Sequence, residues 1–385
     1  MFDDLHEITS HLLHYCVQQD WAGYDPYDGL NSRLFKHTPL YGSKLFRLVI
    51  IQSLKRLPIN LRPILLIDKA RNPKALALFL SSLIILKRHG FSFEPNLINE
   101  VIGHIKRLKS SDVHYWAWGY SFPWQTRTVL VPRGYPNLVC TVFVGEALLD
   151  AFDFFKDESL LNMSISAAEY IVNELFWHRG DEASFSYPLP HLKENVVHNA
   201  NFLAAAFLCR IYSLTQKKEF LDPAIITAKY SISKQDESGA WQYGEAGTQK
   251  WIDNFHTGFN LCALKQIEKF SGQKCFKDSM QKGFSFYKEN FFERNEIAKY
   301  YHNKKYPIDI HSIAQSLITL IDMQPLEDNT NLINGIYRWT MANMRDKQGY
   351  FYYQIQPFYK NRISYIRWSQ AWMLRALSEL YAYFS

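Results

Sequence analysis

At 385 residues, with 47% hydrophobic residues and a formal net charge of +6, the chain is long enough to bury a large core without disulfide or metal staples. Its basic residues are scattered, with only short clusters such as Lys106-Arg107 and Lys304-Lys305, which argues against a nucleic-acid-binding stripe. No shift in composition marks a linker, so residues 1–385 read as one domain whose first 114 residues are the more divergent part, and no run reaches the roughly eighteen apolar residues that a membrane span requires.

The opening Met1-Phe-Asp-Asp-Leu-His-Glu7 has no basic stretch followed by an apolar one, and a cytoplasmic location is expected. Apolar residues at helical spacing predict helices over 3–19, 43–57, 73–89, 94–109, 137–155, 158–176, 199–215, 218–234, 252–270, 275–291, 309–323, 329–344 and 364–384. Short turns such as Lys156-Asp157-Glu158 and Ser271-Gly272-Gln273 make consecutive helices antiparallel neighbours. Five cysteines, Cys16, Cys140, Cys209, Cys262 and Cys275, form an odd set without a CxxC pair and read as reduced core thiols.

Longer segments between the pairs resemble one another: Trp118-Gly-Tyr120, Phe185-Ser-Tyr187, Trp241-Gln-Tyr243, Lys299-Tyr-Tyr301 and Phe351-Tyr-Tyr353, their tyrosines 67, 56, 58 and 52 residues apart. This is an internal repeat, with Trp21-Ala-Gly-Tyr24 as a divergent sixth copy. Past the loops, Asn199, Asn254 and Asp309 recur at intervals of 55, as do Asn201, His256 and His311. The fifth loop leads to Tyr365-x-Arg367 and the second to Asn137-x-Val139, so each of these helices begins polar and continues apolar. Six helix pairs are expected, closed into a ring because the loops are long and aromatic where those of open arrays are tight. The helices that follow the loops would then form the inner wall, with their N-termini at one mouth.

Through the Trp-Gly-Tyr, Trp-Gln-Tyr and Phe-Tyr-Tyr loops, residues 115–385, and more loosely the first 114, resemble the (α/α)6 toroid superfamily. That group holds six-hairpin glycosidases, polysaccharide lyases and uronate epimerases, and more distantly terpenoid cyclases and protein prenyltransferases. The resemblance implies an all-α toroid with a cleft at one mouth, and it does not choose the chemistry. The cyclase reading requires an Asp-x-Asp-Asp or Asp-Asp-x-x-Asp cluster, which the sequence lacks, and the prenyltransferase reading a zinc-binding cysteine beside these positions, also missing. A ring that binds glycans or proteins without turnover is the non-catalytic alternative.

Sugar rings stack their C–H faces on aromatic side chains while their hydroxyls need amide and carboxylate partners. The mouth supplies candidates for both, and the expected substrate is a polysaccharide or oligosaccharide, possibly anionic. Binding candidates are Tyr24, Trp118, Tyr120, Trp124, Arg127, Asn199, Asn201, Trp241, Tyr243, Asn254, Tyr353, Tyr365, Arg367 and Trp368. Acid/base candidates are Asp28, Glu245, Asp253 and Asp309, as carboxyl groups of a hydrolase pair, and His256 with His311 for proton abstraction from a uronate. The carboxylates at 253 and 309 equally suit helix caps. No cofactor is expected, and no metal: an Asp-x-His pair such as Asp309 and His311 on a helix points its side chains roughly 200° apart, which disfavours zinc.

Overall fold

In a computed structural model, which describes residues 4–193, 195–294, 296–324 and 328–385, thirteen α-helices run longer than one turn. They are α1 (Leu5–Gln18), α2 (Lys44–Arg56), α3 (Pro73–Arg88), α4 (Leu97–Arg107), α5 (Leu138–Phe155), α6 (Glu158–Tyr170), α7 (His198–Thr215), α8 (Lys218–Ile232), α9 (Asn254–Ser271), α10 (Lys277–Phe291), α11 (Ile310–Asp322), α12 (Thr330–Met344) and α13 (Ala371–Phe384). Six of them, α3, α5, α7, α9, α11 and α13, form the inner wall. Each packs on the next, and α13 packs back on α3, so the ring is closed.

Burial sorts the helices by their pattern. The inner α3 and α7 are buried almost all round, with Pro73 to Ser82 of α3 and Ala204 to Cys209 of α7 shielded without a break. An outer helix such as α4 buries one apolar stripe, Leu97, Ile98, Val101, Ile102 and Ile105, as expected of a helix with one wet face. At Gly145 of α5 a side chain would run into the ring of Phe207 on α7, so only glycine lets these two inner helices approach so closely.

The pairing departs from a simple series of hairpins. Helices α4, α6, α8, α10 and α12 back the inner helices that precede them, but the last inner helix, α13, is backed by the first helix of the chain, α1. The two ends are also tied at the mouth, where Tyr24 bridges Tyr365 and Gly23 lies against Ile366. The expected 43–57 helix exists as α2, yet it belongs to no pair; it lies beside the mouth, burying Leu54 and packing Ile51 in a small cluster with Leu30 and Phe35. No helix among the described residues is long and apolar enough to cross a membrane.

Candidate active site

The caps at the starts of the inner helices set the register of the site. Asn72, Asn137, Asp253 and Asp309 each turn a side-chain oxygen onto an amide of the first turn; Val197 holds the same position without a capping side chain, as does Tyr365 ahead of the π-helical turn Ile366–Gln370 that leads into α13. The last four positions are 56 apart, one more than the interval of 55 read from the polar residues. That interval aligned Asn254 with Asp309, and the alignment is one residue out: Asp253 is the counterpart of Asp309, and His256 and His311 are not equivalent.

Counting two residues past each cap gives Lys74, Val139, Asn199, Phe255, His311 and Arg367, and all six line one cleft at the mouth. The loops add an aromatic wall, Tyr120, Trp124, Tyr187, Tyr243 and Trp251, which Trp368 of the last inner helix's first turn completes. Tyr243 and Trp251 stack with centroids 4.4 Å apart, and Tyr243 also packs on His256 at 4.7 Å.

His256 stands one residue beyond the ring of six and is held by Asp253, whose Oδ2 lies 2.7 Å from His256 Nδ1. A carboxylate at that distance accepts a hydrogen bond from Nδ1–H, leaving Nε2 as the ring's acceptor. Trp251 Nε1 donates to the same Oδ2 at 2.9 Å, and the other oxygen accepts the His256 amide at 3.0 Å. His311 is the opposite case. It is buried, stacked on Phe255 and Trp372 at 4.4 Å each, and neither ring nitrogen has a hydrogen-bond partner among the described residues. Burial, reinforced by the positive charges of Lys74 and Arg367, holds His311 well below the usual histidine range, so it is neutral. Both imidazoles lie about 6 Å from the Phe259 ring, at 6.0 and 5.9 Å.

Cations outnumber carboxylates here. Lys55, Lys74, Arg127 and Arg367 line the cleft against one acid, Asp253. Arg367 is gripped by Asp25 through Nε at 2.5 Å and Nη2 at 2.8 Å, and Lys55 donates to the Tyr27 hydroxyl at 2.6 Å. Lys74 forms no ion pair among the described residues: its Nζ lies 4.0 Å from the centroid of Phe143 and 5.3 Å from that of Trp372. Burial, with Arg367 nearby, brings its amine down to about 7.

Of the other acid candidates, none lines the cleft. Asp28 is sealed beneath the mouth, accepting from Arg62 Nε at 2.7 Å, and burial pushes its carboxyl up to about 6. Glu245 bonds the Tyr230 hydroxyl at 2.7 Å and faces Lys234. Asp309 accepts from Gln354 and Trp368 and caps α11; it is buried behind Trp368, its carboxyl pushed up to about 6 by that burial. Among the binding candidates, Tyr120, Trp124, Arg127, Asn199, Tyr243, Arg367 and Trp368 line the cleft. Trp118 and Trp241 instead donate to backbone carbonyls of the core. Asn201 and Asn254 are consumed by buried hydrogen bonds to Ser184 and Ser231 and to Tyr287 and Ser316, and Tyr24, Tyr353 and Tyr365 stand behind the lining. Lys55, Lys74, Phe255 and Phe259 join the lining without a signal in the repeat pattern, and Tyr300 and Tyr301 come from the Lys299-Tyr-Tyr301 loop.

Comparison with solved structures finds the same architecture. The Lin0763 protein from Listeria innocua superposes with a TM-score of 0.64 at 10% identity, over 97% of this chain and 96% of that one. A D-mannose isomerase matches at 0.60 and 13% identity, over 81% and 86%, and a cellobiose 2-epimerase from Bacillus thermoamylovorans at 0.60 and 11%, over 82% and 89%. The fold is an (α/α)6 toroid. No protein-family profile matches the sequence, and no curated protein matches it at a significant level. In this toroid the decorated mouth is formed by the N-terminal ends of the inner helices, where backbone amides and caps converge.

Proposed function

We propose that the chain is a carbohydrate-active enzyme, a toroid acting as one domain, that moves a proton on a saccharide at the carbon next to a carboxylate, as in C5 epimerisation or elimination of a uronate. The carrying observation is the pairing of a carboxylate-held histidine, His256, with a neutral and unpartnered one, His311, in the same cleft. His256 Nε2 takes the C5 proton, and the electron pair left on carbon moves into the carboxylate; elimination follows when that pair returns to form C4=C5 and the C4–O bond breaks with the oxygen taking a proton, and epimerisation when C5 is reprotonated from the other face by solvent. Lys74 and Arg367 face the negative charge that develops there. His311, kept neutral, offers an N–H to the same oxygens, the role that suits a histidine whose protonated form is disfavoured.

Hydrolysis by two carboxyl groups is the poorer fit. It needs a pair flanking the bond, and Asp253 is the lone acid of the cleft lining among the described residues. The surplus of cations favours an anionic sugar, and the neighbours described as sugar isomerases and epimerases support proton transfer on a saccharide.

The test is incubation in D2O with uronate oligosaccharides, neutral oligosaccharides and free aldoses, followed by NMR. Deuterium entering C5 of a uronate, for epimerisation, or a C4=C5 unsaturated uronate at a new chain end, for elimination, is expected. Exchange confined to C2 of a free aldose would move the activity to the isomerase type, and cleavage by water without exchange would overturn the proposal.

A further inference from the structure

Helix α2 and the loops around it form a surface unlike the rest of the molecule. Between residues 29 and 67 there is no Asp or Glu, although acidic residues make up 37 of the 385; seven Lys or Arg fall in the same stretch. Of the seventeen large hydrophobic side chains exposed among the described residues, nine lie between 34 and 66 and two more are Phe358 and Tyr359. Exposed apolar residues are ordinary when scattered, but a concentration of this kind marks a contact surface.

These residues are joined in space. On α2, Leu45, Phe46 and Val49 face outward, while Ile51 and Leu54 are buried. The stripe runs on to Arg56 and Leu57, whose carbonyls accept hydrogen bonds from the Tyr359 hydroxyl and from Asn361 Nδ2. That contact brings up the 354–361 hairpin, at whose tip Phe358 is 98% exposed. Around the apolar residues stand Lys36, Lys44 and Arg56, each exposed and without an ion pair among the described residues.

We propose that this face docks, in plane and without crossing, on a bilayer that carries anionic phospholipids. An amphipathic helix lying in the interface buries its apolar side among the acyl chains while Lys and Arg meet the headgroups, and each basic residue near an anionic surface adds to the attraction. Of the seven cations, Arg62 is buried on Asp28, Lys55 turns into the cleft and Arg33 pairs with Asp68; the exposed Lys36, Lys44 and Arg56, with no acid in the stretch to offset them, match that charge. A second protein copy, carrying the same positive surface, would repel it. The opposite side of α2 sends Lys55 into the cleft, so a docked α2 holds the cleft entrance beside the headgroups and favours a membrane-attached saccharide as substrate. The docking itself does not depend on the reaction assigned to the cleft.

The full chain is sedimented with sucrose-loaded vesicles of phosphatidylcholine alone or with 30 mol% phosphatidylglycerol. Binding is expected to the anionic vesicles only, and to weaken with added salt. Leu45→Ser/Phe46→Ser/Val49→Ser should lower the partition constant about ten-fold or more, and Phe358→Ser alone several-fold, since each removes apolar side chain that would otherwise insert at the acyl boundary. Lys36→Glu/Lys44→Glu/Arg56→Glu should abolish the preference for anionic lipid. Circular dichroism and Tm identify any variant that fails to fold, and Phe358→Ser, at a fully exposed tip, remains decisive. No binding to either vesicle, binding indifferent to the apolar variants, or a dimer in sedimentation velocity that these variants disperse would each overturn the proposal.

Discussion

His256 Nδ1 and Asp253 Oδ2 lie 2.7 Å apart, and the other oxygen of the same carboxyl group caps α9. One side chain therefore starts an inner helix and fixes the tautomer of the histidine one turn along. Asp253→Asn separates the two roles, because Asn caps as well as Asp, whereas its amide can donate to Nδ1 and push the ring proton to Nε2. The expected result is a loss of proton exchange of about 10³-fold or more, by analogy with other carboxylate-held histidines, with Tm almost unchanged. Steady-state NMR exchange rates beside thermal melts check it; a Tm collapse with matching activity loss would reduce Asp253 to a cap.

His311 should show the reverse balance between stability and function. It is buried between Phe255 and Trp372 with neither nitrogen partnered among the described residues, and an unsatisfied buried polar group costs about 1–3 kcal/mol. His311→Phe keeps a flat ring in the stack and removes that cost. The denaturation midpoint is expected to hold or rise while exchange activity falls about 100-fold or more. Equal activity in the variant would remove His311 from the mechanism.

The helices and their repeat were legible because the 3.6-residue period and the aromatic loops are local signals. Which residues face the cleft is set by where each first turn starts, and there the polar pattern misled: His256 and His311 look equivalent at an interval of 55, but the caps Asp253 and Asp309 are 56 apart. Lys74 was legible in principle. Asn72-Pro73 is a cap followed by proline at the first helical position, a recognisable start, and two steps past the other caps lie Asn199, His311 and Arg367. The roles of Asp28 and Glu245 were not, since a loop position does not tell which way a carboxylate points; each is claimed by a partner, Arg62 or Tyr230. The closing of the ring by α1 on α13 joins the two ends of the chain and leaves no local trace.

The Asp25–Arg367 pair couples the divergent first segment to the last inner helix. Both side chains are about nine-tenths or more buried, and removing one partner of such a pair leaves a buried unpaired charge, at a cost of about 3–5 kcal/mol. Asp25→Ala is expected to lower the urea midpoint sharply and to weaken binding of an anionic sugar, because Arg367 loses its fixed position. Asp25→Ala/Arg367→Met should recover much of the stability and none of the binding. A double variant as unstable as the single one would mean that the loss lies in packing.

Lys74 is the cation most exposed to a change of pH. Its amine is lowered from the ordinary lysine value to about 7 by burial, so the unfolded chain binds a proton at Lys74 more tightly than the folded one, and stability from this group is greatest above the unfolded value and is lost as pH falls toward 7. Removing the amine with Lys74→Met should therefore raise Tm by several degrees at pH 6, with the advantage over the native chain shrinking steadily as pH climbs from 7 toward 10. The charged form is the one that can face the carboxylate of a sugar, and the groups that act on it are Arg367, His311, Cys140 and Asp25. Activity of the native chain should accordingly fall on the alkaline side of about pH 7, and Lys74→Met should lower the rate while abolishing that alkaline limb. Thermal melts and exchange rates across pH 5.5–9.5 for both proteins provide the check; an unchanged limb in the variant would assign it to another group.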